Sequence, residues 1–316
     1  MNQGWTYRDR IRPQDAGTTI LDFYTERYRH SSRAEWQHRI EHGEIRLNGQ
    51  PVGVDQPLAV GQQLAYHRPP WKEPDVPLHF NEVYSDNDLL VINKPAGMPV
   101  LPGGNFLQNT LLHQLQLTYP ENPPVPMHRL GRGTSGLMVL ARSPLARSML
   151  SRQFRESTAR AGDPQALRPI HKTYLALLGA SDLPDRFTVT TPIGKVPHPT
   201  LGYVFGAATT GLSAISEAKV IHRSPTSTLV EVTIRTGRPH QIRIHMASVG
   251  YPLLGDPLYG AGGLPLSPAR PHGDKIPVPG DVGYFLHAHH LVLAHPRTQQ
   301  EMAWTCELPV RFAAQL

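Results

Sequence analysis

The stretch best equipped for chemistry is Met127-His128-Arg129-Leu130-Gly131-Arg132-Gly133-Thr134-Ser135-Gly136-Leu137. Glycines, two arginines and two hydroxyls just ahead of an apolar run make a loop that can approach a phosphate backbone closely. The same composition also fits a plain turn with solvated arginines. A second stretch, Thr236-Gly237-Arg238-Pro239-His240-Gln241-Ile242-Arg243-Ile244-His245, is followed by Gly250-Tyr251-Pro252-Leu253-Leu254-Gly255-Asp256-Pro257-Leu258-Tyr259-Gly260. Asp256 sits in a Gly-Asp-Pro turn, where an Asx-type structural role is expected. Ser135 and His128 do not make a hydrolase, because no nucleophile-elbow pattern surrounds the serine. His287, His289, His290 and His295 have ligand potential, but no acidic or cysteine partner lies nearby, so no metal is expected there. The single cysteine, Cys306, excludes a disulfide framework and a Cys-based zinc site.

Charge points to a partner. There are 31 basic and 25 acidic residues, giving a formal charge of +6. All but six of the basic residues are Arg, whose planar donor fork suits phosphates and base edges. Residues 1–75 carry ten basic and ten acidic side chains, so the whole excess lies in 76–316. No run approaches the ~18 apolar residues of a membrane span. The polar, aromatic segment Met1 to Arg12 is not a secretory signal, and a cytoplasmic location is expected. The 32 prolines and 27 glycines predict a loop-rich α+β chain.

Elements must position these residues. Ile20, Leu21, Phe23, Tyr24 and Tyr28 have helical spacing, and Thr18 or Thr19 can cap that helix. Ser31 or Ser32 can cap a second helix running to His42, with Gly43 as its stop. Glu44 to Leu47 alternates like a strand, Asn48-Gly49 signals a hairpin turn, and Val52, Val54 and Val60 to Leu64 continue short strands. Arg8, Arg10 and Arg12, diluted by Asp9 and Asp15, read as a solvated tail. Pro69 to Pro74 reads as a stiff linker. Leu89–Asn93 and Leu137–Ala141 are predicted as buried strands, and Thr173–Leu178 and Leu229–Ile234 as alternating ones. Pro144 to Phe154 is helix-like, with Leu145, Met149, Leu150 and Phe154 on one side. Glu156 to Pro169 is predicted as a loop and Ala261 to Gly283 as a surface insertion. Trp36 and Trp304 are expected in the core.

Two resemblances follow. Two short helices and a hairpin carrying Ser32, Arg33, Ile40, Gly43, Ile45, Asn48 and Gly49 resemble the S-four RNA-binding domain, named from ribosomal small-subunit protein four. The two long stretches above, with Asn93-Lys94-Pro95-Ala96-Gly97, Lys172-Thr173-Tyr174 and Leu286-His287-Ala288, closely resemble the RluA-type RNA pseudouridine synthases in order and approximate spacing from about residue 80 to 310. The implied architecture is an S-four-like domain over 1–68, a proline-rich linker over 69–79, and a synthase domain over 80–316 on a mixed, mainly antiparallel sheet. The implied function is isomerisation of specific uridines in structured rRNA or tRNA to pseudouridine. Implied with it are RNA as partner, no metal or organic cofactor, and a monomer. The target nucleotide is flipped from its stack. By position, Arg129 helps fill the space the base leaves, Tyr174 packs on the base, and Arg243 pairs with the family's catalytic aspartate. Arg132, Arg238, His240, Lys94 and Arg33 are the further candidates for RNA contact, Lys94 being structural or phosphate-facing.

One position departs from that pattern. Most members read His-Arg-Leu-Asp, whereas this chain resembles the branch reading His-Arg-Leu-Gly, with Gly131 in the aspartate's place. Glycine supplies neither nucleophile nor base. Either a carboxylate comes from elsewhere (Asp86, Asp88, Glu156 or Asp163), or the chemistry is altered, or the chain is a catalytically silent RNA-binding member. With its partner removed, Arg243 is expected to stand alone in a more open, more positive pocket, since an unpaired buried charge is costly.

Overall fold

In the computed structural model, residues 1–159, 170–266 and 276–316 are described. The chain divides into two compact units. One is Met1–Pro74 with His198–Gly202, and the other is Asp75–Pro197 with Tyr203–Leu316.

The first unit orders β1 (Trp5–Arg10), α1 (Ile20–Arg27), α2 (Arg33–Glu41), β2 (Ile45–Leu47), β3 (Gln50–Pro51) and β4 (Gln63–Arg68). The Thr19 hydroxyl caps α1 by accepting from Asp22 N–H. Ser32 and Glu35 form a full capping box on α2. Asn48 and Gly49 both have positive φ, 50° and 83°, as a tight two-residue hairpin turn requires. Ile20, Tyr24, Trp36, Ile40, Ile45 and Leu64 fill the core between the helices and the sheet β1-β4-β2-β3. The solvated tail is corrected. Trp5–Arg10 pairs antiparallel with Arg68–Gln63, and Tyr7 stacks on Tyr66 at 5.8 Å. As an edge strand with mostly exposed side chains, it carries no apolar alternation to betray it. Val52 and Val54 pack on the core from outside any strand.

The second unit follows with β5 (Asn81–Ser85), β6 (Leu89–Lys94), α3 (Leu111–Thr118), β7 (Val125–Pro126), β8 (Ser135–Ala141), α4 (Pro144–Ala159), β9 (Ile170–Gly179) and β10 (Arg186–Val189). Then come the β11–β12 hairpin (Ile193–His198, Gly202–Ala207), β13 (Ser216–Arg223), β14 (Ser227–Ile234), α5 (Gln241–Ser248), β15 (Leu286–Ala294), β16 (Glu301–Thr305) and α6 (Val310–Ala313). Ten strands form one sheet in the order β10-β13-β14-β9-β15-β8-β6-β5, with β16 on β15 and β7 on β8. β15 pairs parallel with β8 and the other strand pairs described are antiparallel, so the fold is α+β on a mixed, mainly antiparallel sheet. One rung crosses its middle: Val232, Tyr174, Ala288, Gly136 and Lys94 are successive register partners. Strands lie about 4.8 Å apart, so Tyr174 stands about 10 Å from Gly136. Gly136 is required there, since a Cβ would meet Ala288 O at 2.2 Å.

Helix α4 buries Ala146, Leu150, Gln153 and Ser157, while Leu145 is exposed, so the buried face is rotated from the expected one. Gln153 earns its place by donating to Ala294 O and accepting from Ala294 N–H. Glu156 belongs to α4 rather than to a loop. So do residues 157–159, while residues 160–169 of the expected loop and the middle of the 261–283 insertion lie outside the described residues. Trp36 and Trp304 are buried.

Candidate active site

The loop ahead of β8 is pinned to the turn after β6. Gly97 N–H donates to Arg132 O at 2.7 Å. The Lys94 ammonium donates to Pro95 O, to Met98 O and, at 3.4 Å, to Arg132 O. Lys94 is fully buried, and burial, seconded by the Arg311 charge, pushes its ammonium down to about 7. It is a brace inside the site, the structural one of the two roles expected of it, and not a surface contact for RNA. His128 accepts Val139 N–H on Nε2, so its proton sits on Nδ1. Burial and then Lys172 push it down to about 3.

The second stretch is a set of structural clamps. Gln241 Oε1 accepts from the Thr236 hydroxyl and Arg238 N–H, while its amide donates to Ile215 O and Ser216 Oγ. His245 Nε2 reaches Thr191 O, which can only accept, so Nδ1 accepts from Ser216. Tyr259 spends its hydroxyl proton on Phe205 O, so His240 Nδ1 donates to Tyr259 Oη at 2.7 Å. Burial, with Arg243 next, holds His240 near 3. These bonds aim one face of α5, and with it Arg243.

Arg243 overturns the expectation of a lone cation. Its Nε and Nη2 donate to Asp256 Oδ2 and Oδ1, both at 2.7 Å. The two side chains are 2% and 0% exposed. Asp256 Oδ1 also accepts Leu258 and Tyr259 N–H, so the Asx-type role holds and the ion pair is added to it. The carboxylate neutralises Arg243, which contradicts the expectation of excess positive charge at this point. The guanidinium carbon lies 4.1 Å from the Tyr284 ring centroid and 5.0 Å from that of Tyr259. Among the described residues Arg243 Nη1 is buried with no hydrogen-bond partner. Tyr284 in turn reaches the first loop: a Cβ on Gly131 would stand 2.6 Å from its hydroxyl oxygen.

Tyr174 is buried on β9 in the same apolar cluster as Leu130, Ile242 and Tyr284, and burial raises its phenol. Gly131, Tyr174 and Arg243 therefore belong to one neighbourhood. Arg129 is exposed on the loop. Arg132 Nε donates to Gly280 O, with its guanidinium over Phe106 at 4.9 Å. Arg238 Nε donates to Ser213 O. Arg33, in the first unit, is ion-paired with Asp22 at 2.5 Å. Of the carboxylates considered as replacements, Asp86 and Asp88 precede Leu89, the end of β6 opposite Lys94. Asp86 accepts from Leu89 N–H and Tyr84 Oη and contacts His295, and Asp88 accepts from Arg297 and Ser143. Five residues of strand, about 17 Å, separate them from Lys94, so neither substitutes at Gly131. Glu156 pairs with Arg152 on α4, and Asp163 lies outside the described residues. The C-terminal histidines are spent separately: His287 on Ser135 Oγ, His289 on Cys306 O, His290 on Thr305 Oγ1 and His295 on Asp86. The sequence missed two residues. The order of the Gly-Asp-Pro turn after Arg243 was a signal for Asp256; Tyr284 offered none.

The sequence profile described as RNA pseudouridylate synthase matches residues 88–248. A relative from Synechocystis sp., named as an uncharacterized RNA pseudouridine synthase, is 49% identical over 290 residues, covering 92% of this chain and 94% of its own. RNA pseudouridine synthase 5 of Oryza sativa subsp. japonica is 40% identical over 348 residues, covering 98% of this chain and 88% of its own. The solved structure titled human RNA pseudouridylate synthase domain containing 4 shares the fold, with a TM-score of 0.53 at 24% identity over 74% of this chain and 91% of that one. The chain belongs to the RNA pseudouridine synthase family, whose members are isomerases acting on RNA. Among the described residues no helix is long and apolar enough to cross a membrane.

Proposed function

We propose that this chain isomerises specific uridines of structured ribosomal or transfer RNA to pseudouridine, at the neighbourhood of Gly131, Tyr174 and Arg243. The observation that supports it is the buried Arg243, fixed by Asp256 and the two tyrosine rings, with Nη1 still free to donate. Such an arrangement serves recognition of a polar ring better than it serves stability. Substrate and product are isomers, so no co-substrate is consumed. The nucleotide leaves its stack at a cost of a few kcal/mol, which Tyr174 offsets by stacking, worth about 1–3 kcal/mol. Exposed Arg129 follows into the vacated stack, and Arg132, Arg238 and His240 line the approach. The Met1–Pro74 unit acts as an S-four-like RNA-binding module with Arg33 on its contact face, joined by a proline-rich connection. The protein works as a cytoplasmic monomer.

Pseudouridine mapping of ribosomal and transfer RNA from cells with and without the gene tests this. Loss of a defined site on deletion is expected. An unchanged map, with the purified chain still binding those RNAs, would leave a non-catalytic binder instead.

A further inference from the structure

Two glycines make room for one tyrosine, and two more let the segment that carries it cross another. A Cβ on Gly131 would lie 2.6 Å from Tyr284 Oη, and one on Gly133 would lie 2.8 Å from its ring. Gly255 and Gly283 approach so closely that a Cβ on either would meet the other's carbonyl oxygen, at 2.7 and 2.8 Å. That crossing carries the next residue of each segment. Asp256 goes to its bidentate pair with Arg243, and Tyr284 lays its ring against the same guanidinium at 4.1 Å. Tyr284 is 1% exposed, and its hydroxyl lies 3.3 Å from Thr134 Oγ1. Real Cβ atoms do not approach an oxygen to 2.6 Å, so a side chain on residue 131 and this phenol oxygen claim the same space.

We propose that Tyr284 is a catalytic residue of this chain, its phenol oxygen delivered from a different segment to the place that a carboxylate on residue 131 would take. The proposal rests on the synthase reading above. In the step it performs, the hydroxyl proton passes to solvent and the oxygen bonds to ribose C1′. The C1′–N1 bond breaks, and its electron pair goes to N1 of uracil. Tyrosine serves as nucleophile at an anomeric carbon in some glycosidases. Arg243 lies against the ring, and its unpartnered Nη1 donates to an oxygen of the detached uracil. After the base turns, C5 bonds to C1′ and the phenol oxygen leaves with its electron pair. It regains a proton from water, C5 loses its proton, and N1 takes one. Atoms and electrons balance with no oxidant or reductant.

The test expresses full-length variants in cells lacking the gene and maps pseudouridine on their ribosomal and transfer RNA. Tyr284→Phe keeps the ring and removes the oxygen. It is expected to lower the rate at the target at least 100-fold, with wild-type protein level and unchanged binding of the purified chain to that RNA. Wild-type modification by Tyr284→Phe overturns the proposal and leaves the synthase reading standing, whereas a wild-type chain that restores no site overturns both. A second comparison guards against misfolding. Gly131→Asp with Tyr284→Leu returns a carboxylate to the vacated place and is expected to exceed Tyr284→Leu alone at least tenfold. A double variant no better than Tyr284→Leu counts against one place serving both side chains.

Discussion

Two bidentate Arg–Asp pairs stand near opposite ends of β6, and their surroundings differ. Arg297 grips Asp88 at 2.6 and 2.9 Å, and its side chain is 61% exposed. Arg243 grips Asp256 at 2.7 Å twice with both side chains buried. The first pair joins a buried Asp88 carboxylate to a largely exposed guanidinium, where water screens the charge and leaves the pair a modest net worth. The second is a desolvated charge that must keep its partner, hemmed by tyrosine rings and holding a donor in reserve. The same bond is a fastening at one end of the strand and the setting of the proposed site at the other.

Acid should separate the two ends most strongly. Burial, named first for each, holds His128 and His240 near 3 and His245 and His287 near 4. Between those values and about 6.5, the unfolded chain binds protons that the folded chain refuses. The histidines' contribution to stability is therefore full above about 6.5 and falls as pH drops, by about 1.4 kcal/mol per pH unit for each histidine. The Arg297 bond, then the Ser143 hydroxyl, holds the Asp88 carboxyl below its ordinary range. That contribution is present above about 4 and lost only below it. Denaturant titrations from pH 7 to 4 should show a steep loss that His128→Gln with His240→Gln flattens; a curve unchanged by the double variant breaks the assignment.

Next in size is Asp256→Asn, which strands the Arg243 charge and should cost about 3–5 kcal/mol, measured as the denaturation free energy. Gly131→Ala should follow at about 1–3 kcal/mol, because its Cβ overpacks against Tyr284 Oη. Tyr284→Phe should remove most of that cost, since the ring carbon behind the oxygen lies 3.9 Å from the same Cβ. Equal costs in the two backgrounds would refute the shared place. The smallest effect is expected from Arg297→Ala, a loss of no more than about 1 kcal/mol; a loss as large as that of Asp256→Asn would erase the contrast between the two pairs.

The strands of the large sheet were legible because Leu89–Asn93 and Leu137–Ala141 are apolar runs with nowhere to go but inside. The capped helices of the first unit were legible because Thr19 and Ser32 act within three residues. Edge strand Trp5–Arg10 was not, since its stability comes from a partner nearly sixty residues away. At the site, Tyr174 and Arg243 carried the family's pattern, while Lys94 read as structural or phosphate-facing until its burial decided for the structural role.

Taken alone, the sequence determined the family, the two-part organisation expected of it, and the vacancy at Gly131, because motif order and a missing side chain are both one-dimensional facts. Only the tertiary structure decided what fills that vacancy. Asp256 and Tyr284 reach Arg243 through the close crossing of Gly255 and Gly283, and the fit of a phenol oxygen over two glycines is a distance between atoms that no spacing along the chain encodes.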